Sequence, residues 1–283
     1  MLGNWSLGDY FKKEAIEWSH EFLTAVLELD PKRIAVSCFA GDDDAPRDDE
    51  AAAIWESCGV PKERIAFLPK SENWWGPAGE TGPCGPDTEM FYWKRNDIEP
   101  PRTFDPEDEN WVEIWNDVFM QYEKKADGTF IPLKQKNVDT GMGVERVAMA
   151  LQGFDDVFQT ELFRPLMQRI EELSGKKPTE DNMTSFRIIA DHMRAATFLL
   201  GDERDIVPSN VDQGYILRRY IRRAIRHLKL LDVNLQQKDI TVDLARIVIA
   251  QYQDDYPLLA KKREFIFSEL KKEKDKFQAT LEK

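Results

Sequence analysis

The most informative part of the sequence is residues 137–150, which read Asn137-Val138-Asp139-Thr140-Gly141-Met142-Gly143-Val144-Glu145-Arg146-Val147-Ala148-Met149-Ala150. Gly141 and Gly143 allow the backbone to pass close to a bulky group or to adopt φ angles that side chains disfavour. Val144, Val147 and Ala148 then begin an apolar helical pattern. The segment therefore predicts a turn that leads directly into a helix.

Two charged residues flank this predicted turn, Asp139 before it and Arg146 in the first turn of the helix. A carboxylate complements an ammonium group, and a guanidinium complements a phosphate. The pair is expected in a site that joins an amino acid to ATP. Because the sequence contains no Walker A loop, we expect ATP to be held by arginine and a sheet instead of a P-loop.

Composition limits the protein class. The chain has 283 residues, of which 42% are apolar, and a net charge of −13, which disfavours nonspecific coating of nucleic acid. It has no apolar run long enough for a membrane span, and its three cysteines and three histidines form no CxxC, HxxH or HxxxH pair. We therefore predict a cytoplasmic protein with no membrane partner and no protein zinc site.

The first part of the chain is predicted to be α+β. Asp9 is a candidate cap for a helix that ends near Leu29, and Asp127-Gly128 is a candidate hairpin turn. Strands are predicted at about 1–8, 34–39, 65–68, 89–93, 111–122 and 129–133, in a mainly antiparallel sheet. We interpret the region from Ile34 to Leu68, which includes a helix at 51–58, as an α+β insertion.

From about residue 157 onward the pattern is helical throughout. Helices are predicted at 161–173, 184–200, 215–230, 242–252 and 258–282. Ser174-Gly175-Lys176-Lys177-Pro178 interrupts this pattern, so we place a domain boundary near residue 175. The prediction is a domain at 1–175 and an all-α domain at 176–283.

Two further segments of the first domain indicate a small-molecule site. Residues 73–89 combine Trp74-Trp75 with a glycine at every third position, which predicts a rigid loop that presents Trp75 and backbone amides to a ligand. The alternative is an ordinary surface loop. Asn116 interrupts an apolar strand, and it is either a second ligand for the small substrate or a polar group at a strand edge.

The helix at 215–230 carries a basic face. Its five arginines fall within an arc of about 140° at roughly 100° per residue, and they are Arg218, Arg219, Arg222, Arg223 and Arg226. Residues 215–229 contain six Lys or Arg and no acidic residue, which favours a footprint for a phosphate backbone over a solvated helix. Asn210, just before this helix, could reach a base edge or cap the helix.

Taken together, these segments resemble the alanyl-tRNA synthetase family of class II aminoacyl-tRNA synthetases over essentially the whole chain. The stretch 137–150 is similar to motif 3 of that family, and residues 1–12 are similar to the end of motif 2. The other similar segments occur in the same order, and they are 81–86, 113–116 with 118–121, 187–192 and 208–223.

The resemblance implies an antiparallel class II sheet followed by a helical tRNA-recognition domain, and an ATP-dependent alanine–tRNA ligase. Around alanine it implies Trp75, Asn116, Asp139 and Gly141, with Asp139 binding the amino group. For ATP it implies that Trp5 lies near adenine, that Arg146 binds the γ-phosphate, and that Gly143 and Glu89 belong to the same site. It implies Glu89 as a ligand of the Mg²⁺ that accompanies ATP. It places Asn210 and the arginine helix near the acceptor stem of tRNA(Ala), and it implies no zinc in this region.

The sequence also departs from the family pattern. Motif 1, the first strand of motif 2 with its ATP-binding arginine, and the editing domain have no counterpart in these residues. We therefore expect a fragment, or one subunit that works with a separate N-terminal chain carrying motif 1, with little or no activity alone. The alternatives are a non-catalytic tRNA-binding relic of the family and a ligase for another small amino acid.

Overall fold

The computed structural model describes residues 1–236 and 239–281, and the chain divides into two compact units, Met1–Thr160 and Glu161–Lys283. This division falls earlier in the chain than the boundary near residue 175. The reason is that the helix Arg164–Ser174 packs against other helices of the second unit. The functional assignment of the ranges 1–175 and 176–283 stays a prediction.

The first unit is built from strands with three helices. Its elements are β1 (Trp5–Leu7), α1 (Lys12–Glu21), β2 (Ile34–Phe39), α2 (Asp49–Ser57), β3 (Ile65–Leu68), β4 (Trp74–Trp75), β5 (Gly82–Trp93), β6 (Trp111–Lys124), β7 (Phe130–Met142) and α3 (Val144–Leu151). The α+β class and the mainly antiparallel sheet that the sequence predicts are confirmed.

One sheet connects these strands in the order β1-β7-β6-β5-β2-β3, with β4 paired to β5. Among these pairs, β2 and β3 run parallel and the others run antiparallel. The interpretation of residues 34–68 as an insertion is wrong, because β2 pairs with β5 and β3 pairs with β2. This segment extends the main sheet.

Two strands are longer than their local sequence patterns indicate. β5 begins at Gly82, inside the segment predicted to be a loop, and β7 continues to Met142. Asp139 and Gly141 consequently lie on a strand, and only Gly143 separates that strand from α3. Pairing explains the difference, since hydrogen bonding to β6 and β1 favours extended backbone where local sequence favours a turn.

Helices α1 and α2 cover one face of the sheet. Ile16 and Trp55 from these helices pack with Met90 and Phe119 from the strands, all fully buried. α1 continues as a π-helical segment, Phe22–Val26, close to the predicted end. The prediction that Asp9 caps this helix is wrong, because the N-cap position is taken by Phe11.

The second unit is helical in the residues described, as predicted. Its helices are α4 (Arg164–Ser174), α5 (Met183–Gly201), α6 (Asp212–Leu230), α7 (Ile240–Tyr252), α8 (Pro257–Lys261) and α9 (Arg263–Leu281). α5 contacts each of the other five, so it forms the centre of the unit. The last predicted helix is divided into α8 and α9 at Lys262, and its predicted end at Glu282 lies outside the described residues.

Candidate active site

Two cross-strand rows of residues define the candidate site in the first unit. Asn116 on β6 lies opposite Gly141 on β7 and Glu89 on β5. In the neighbouring row, Asp139 on β7 lies opposite both Val118 and Trp5. Directly opposite residues of a sheet project to the same face. Register therefore brings together residues that are separated by more than a hundred positions in the sequence.

Asp139 occupies the centre of its row, between Trp5 and Val118. Its side chain is half-buried, whereas the Trp5 side chain is 67% exposed. The described part of the chain provides no side-chain hydrogen bond or ion pair to the Asp139 carboxylate. A half-buried carboxylate beside apolar groups is suited to bind an ammonium group of small size.

The two glycines of the opening segment have different roles from each other, and neither has a positive φ. A Cβ at Gly141 would lie 2.4 Å from Cε of Met1, while a Cβ at Gly143 would lie 3.3 Å from Cδ of Arg146. The sequence suggested two explanations for these glycines, an unusual φ angle or close approach of another group. Close approach is the one that applies to both Gly141 and Gly143. Gly143 leaves room for the Arg146 side chain to fold back along the strand ends.

Arg146 reaches from α3 to β6. Its Nη1 donates to the carboxylate Oε2 of Glu113 at 2.6 Å and to the Glu113 carbonyl oxygen at 2.8 Å. The side chain remains 47% exposed. An exposed guanidinium whose direction is held by a neighbouring strand is available to bind an anion such as phosphate.

A group of carboxyl side chains lies on β5 and β6 beside these rows. Burial, helped by the charges of Glu113 and Asp87 and opposed by a hydrogen bond from Ser37, raises the pKa of Glu89 to about 8. Burial also outweighs the hydrogen bonds from amide side chains at Asp87 and raises the pKa of that carboxyl to about 7. Perturbed carboxyl groups of this kind are common at functional sites.

The predicted tryptophan loop is part of the sheet from Gly82 onward. Trp75 lies on β4 opposite Gly85, and it is 37% exposed. Its neighbour Trp74 stacks on Tyr122, with ring centroids 5.6 Å apart. The adjacent tryptophans therefore have separate roles, because one anchors the strand in an aromatic cluster and the other is accessible.

Two residues of the site were not predicted from the sequence. Val118 lies directly opposite Asp139, and Asp87 accepts hydrogen bonds from Asn73 and Asn116. Val118 reads as an ordinary core residue of a strand, so no local signal marks it. Asp87 does stand out, as a carboxylate in a glycine- and proline-rich segment, but only the register shows what it contacts.

The basic face lies on α6 in the second unit. Its apolar side is buried as predicted, through Leu217, Ile221, Ala224, Ile225 and Leu228. Arg219, Arg223 and Arg226 are exposed. Arg218 donates to Oδ1 of Asn210, which links the segment before the helix to its first turns.

Arg222 differs from the other arginines of this helix. Its Nε donates to Oε1 of Glu273 at 2.6 Å, and its guanidinium lies 5.3 Å from the ring of Phe277. Glu273 is almost fully buried. Arg222 therefore compensates a buried carboxylate of α9, and its predicted contact with RNA stays a prediction.

Residues 1–236 and 239–281 contain no group of three or more His, Cys, Asp or Glu side chains placed to hold a metal ion. In the same part of the chain, no helix is both long and apolar enough to cross a membrane.

Comparison with known proteins identifies related sequences. The profile of the family described as tRNA synthetases class II (A) matches residues 1–283. The alanine–tRNA ligase of Treponema pallidum is 50% identical over 291 residues, which cover 100% of this chain and 47% of the relative. For the alanine–tRNA ligase of Treponema denticola, the identity is 54% over 243 residues, 83% of this chain and 40% of the relative.

A third relative, the alanine–tRNA ligase of Borrelia hermsii, is 46% identical over 287 residues, which cover 99% of this chain and 48% of the relative. The chain thus spans about half the length of the curated relatives it matches.

Proposed function

Because this chain belongs to the family of class II (A) tRNA synthetases, we propose that it takes part in the ATP-dependent charging of tRNA(Ala) with alanine. The observation that carries the proposal is the pair of cross-strand rows that set Asp139, Gly141 and Asn116 on one face, next to Arg146. The names of the relatives support alanine as the amino acid.

Alanine would bind at the Asp139 row. The Asp139 carboxylate would bind the ammonium group, with Val118 and Gly141 limiting the space for the side chain. Asn116, opposite Gly141, would contribute a polar group to the same substrate. Trp75, on the partly exposed strand β4, would close the site from the β5 side.

ATP would bind next to the amino acid. Trp5, opposite Asp139, offers an exposed aromatic face to adenine, and Arg146 offers its guanidinium to the γ-phosphate beside Gly143. Glu89 would contact Mg²⁺, since the ion would offset the repulsion between this carboxyl group and the two acids beside it. The ion would lower the phosphate charge, while ATP supplies most of its ligands.

The proposed reaction has two steps. A carboxylate oxygen of alanine attacks the α-phosphorus of ATP, the bond to the β-phosphate breaks, and pyrophosphate leaves. A ribose hydroxyl at the 3′ end of tRNA then attacks the alanyl carbonyl carbon, and AMP leaves. The contribution of this chain is to bind and orient the reactants, with Arg146 balancing charge on the phosphates.

The acceptor stem of tRNA(Ala) would bind at α6. Arg219, Arg223 and Arg226 present exposed guanidinium groups to the phosphate backbone, and Asn210 precedes them with an exposed amide. The Asn210 carbonyl oxygen is held by Arg218, so its NH₂ group is the end that is left to donate to a base edge.

Alanine-dependent exchange of pyrophosphate into ATP tests the first step. The chain is assayed alone and together with the part of a relative that it does not match. We expect Asp139→Asn to lower the exchange rate about a hundredfold, because a charge-assisted bond to the ammonium is lost. Asp43→Asn, at an exposed acidic loop, is the matched control.

The result also separates the alternatives. Exchange that requires alanine and falls in the Asp139 variant supports the ligase. If neither preparation catalyses exchange and the chain still binds a tRNA acceptor-stem duplex, the non-catalytic RNA-binding relic is the better description. Exchange that is stronger with another small amino acid would contradict the assignment of alanine.

A further inference from the structure

A buried carboxylate links two amide side chains at the edge of the candidate alanine site. Asp87 is 2% exposed and lies on β5. Its Oδ1 accepts from Nδ2 of Asn73 at 3.0 Å, and its Oδ2 accepts from Nδ2 of Asn116 at 3.4 Å. Both carboxylate oxygens are therefore used, and each holds the NH₂ end of one amide.

The other end of each amide has no partner. Oδ1 of Asn73 and Oδ1 of Asn116 are buried and accept no hydrogen bond from the described residues. Leaving a buried acceptor without a hydrogen bond is unfavourable, so such atoms call for an explanation. Asn73 has a second anchor, since its Nδ2 also donates to Oγ of Ser37 at 2.8 Å.

The register shows where the free oxygen of Asn116 is directed. Its NH₂ group is turned toward β5, where Asp87 lies, so its Oδ1 is on the side of β7. Gly141 is directly opposite Asn116 on β7, and Asp139 is two residues away on the same face. An ammonium group has three donors, and one that binds Asp139 can also donate to this oxygen.

We propose that Asp87 is a positioning residue, which holds the Asn116 amide so that its carbonyl oxygen accepts from the ammonium group of the amino-acid substrate. The proposal rests on the proposed function. Without Asp87 the amide could rotate and present NH₂ instead, which repels an ammonium group. Asp87 would thus contribute to the choice of an amino acid over a hydroxy acid of the same shape.

Charge around Asp87 is consistent with this role. Glu113 and Glu89 interact with it electrostatically. Both of its oxygens accept from amide NH₂ groups, so an ionised carboxylate fits this arrangement, whereas a protonated one would have to donate.

Asp87→Asn tests the proposal. An asparagine at this position offers one acceptor and one donor group, so it cannot hold the NH₂ ends of both neighbours, and one of them must turn. The probes are two stable adenylate mimics, alanyl-sulfamoyl-adenosine and its lactyl analogue, in which a hydroxyl replaces the ammonium. Their dissociation constants are measured by calorimetry at pH 8 on the 283-residue chain.

We expect Asp87→Asn to weaken the alanyl mimic about tenfold and the lactyl mimic less than twofold, so the preference for the ammonium falls about fivefold or more. Ser37→Ala is the matched control. It removes the second anchor of Asn73 but leaves the contact between Asp87 and Asn116, so the preference should stay at the wild-type value.

Equal weakening of both mimics, or none, would show that Asp87 is only structural and would overturn the proposal. Asp87→Ser serves as a second variant if Asp87→Asn does not fold, and we expect the same loss of preference from it. Failure of the wild-type chain to bind the alanyl mimic is a different result. If the mimic also fails to bind when the part of a relative that the chain does not match is supplied, this contradicts the proposed function itself, because no variant is involved.

Discussion

The candidate active site and the arginine helix depend on the sequence in different ways. The site on the sheet combines residues from β1, β5, β6 and β7, and cross-strand register alone brings Trp5, Asn116 and Asp139 together. The arginine face lies on a single helix, and its geometry follows from the helical period. A site built by register is lost when one strand shifts, whereas a helical face survives while its helix remains folded.

The largest effect is expected from a substitution that blocks strand pairing in the sheet. A Cβ at Gly85 would lie 2.0 Å from the carbonyl oxygen of Phe119, so Gly85→Ala must push β5 away from β6. We expect a loss of about 2–3 kcal/mol in the stability of the first unit. All eight tryptophans lie between residues 5 and 115, so tryptophan fluorescence in urea reports on this unit alone.

The control for that experiment is Gly79→Ala. The nearest atom to a Cβ at Gly79 is the Thr81 carbonyl oxygen, at 3.9 Å, so this change should leave the unfolding midpoint in place. The part of the 222 nm signal that comes from the helices of the second unit should keep its midpoint in both variants, while the smaller part from α1, α2 and α3 follows the fluorescence. Equal midpoints for the two alanine variants would show that this close approach does not determine the pairing.

Two arginines of α6 should respond differently to the same substitution, because one is paired and the other is exposed. Arg222→Gln should destabilise the second unit by about 2 kcal/mol, because it leaves the buried Glu273 carboxylate without its ion pair. Arg219→Gln, at an exposed position, should leave stability unchanged and weaken binding of an acceptor-stem duplex about threefold, with a smaller salt dependence.

The readouts for this pair are the 222 nm unfolding curve and duplex binding at two salt concentrations. If Arg222→Gln reduced RNA binding without any change in stability, Arg222 would belong to the RNA face after all. In that case all five arginines of the helix would contact RNA, as the helical period alone predicts.

The third prediction concerns the carboxyl group of Asp117 on β6. Asp117 is completely buried, its Oδ2 accepts from Ser19 at 2.8 Å, and burial raises its pKa to about 8. A carboxyl whose folded pKa is raised stabilises the fold at low pH, and this contribution is lost as pH rises toward about 8. The first unit should therefore lose stability over this range.

Asp117→Asn removes the titrating group and isolates its effect. We expect the stability of the variant relative to the wild type to increase by at most about 1.4 kcal/mol per pH unit between pH 4 and pH 8. Tryptophan fluorescence in urea at four pH values measures this difference. Parallel curves for the two proteins would show that Asp117 titrates as it does in the unfolded chain.

Several elements could be predicted because their signals are local. The helix at Asp212–Leu230 has a strong amphipathic period, and the strands Ile34–Phe39 and Ile65–Leu68 are apolar runs with polar boundaries. The hairpin at Asp127-Gly128 also follows from local chemistry, since Gly128 has a φ of +87° and Thr129 donates to the Asp127 carboxylate.

Predictions from the sequence were wrong where pairing with a distant strand decides the local structure. Residues 82–88 form part of a strand despite two prolines and two glycines, because β6 pairs with residues 82–84 and 87–88 and β4 pairs with Gly85 and Pro86. Residues 34–68 join the main sheet through β5, a partner that lies far along the chain. Local propensity contains no information about such partners.

The α+β class and the basic helix follow from composition, periodicity and residue chemistry, and the same signals mark Asp139, Arg146 and Asn116 as candidate site residues. Which of these groups contact one another depends on the fold. It set Val118 opposite Asp139, joined Asp87 to Asn116, and turned Arg222 inward to Glu273. Strand register and helix packing are set by burial and hydrogen bonding summed over the whole fold. No single segment of the sequence contains the information about its distant partners.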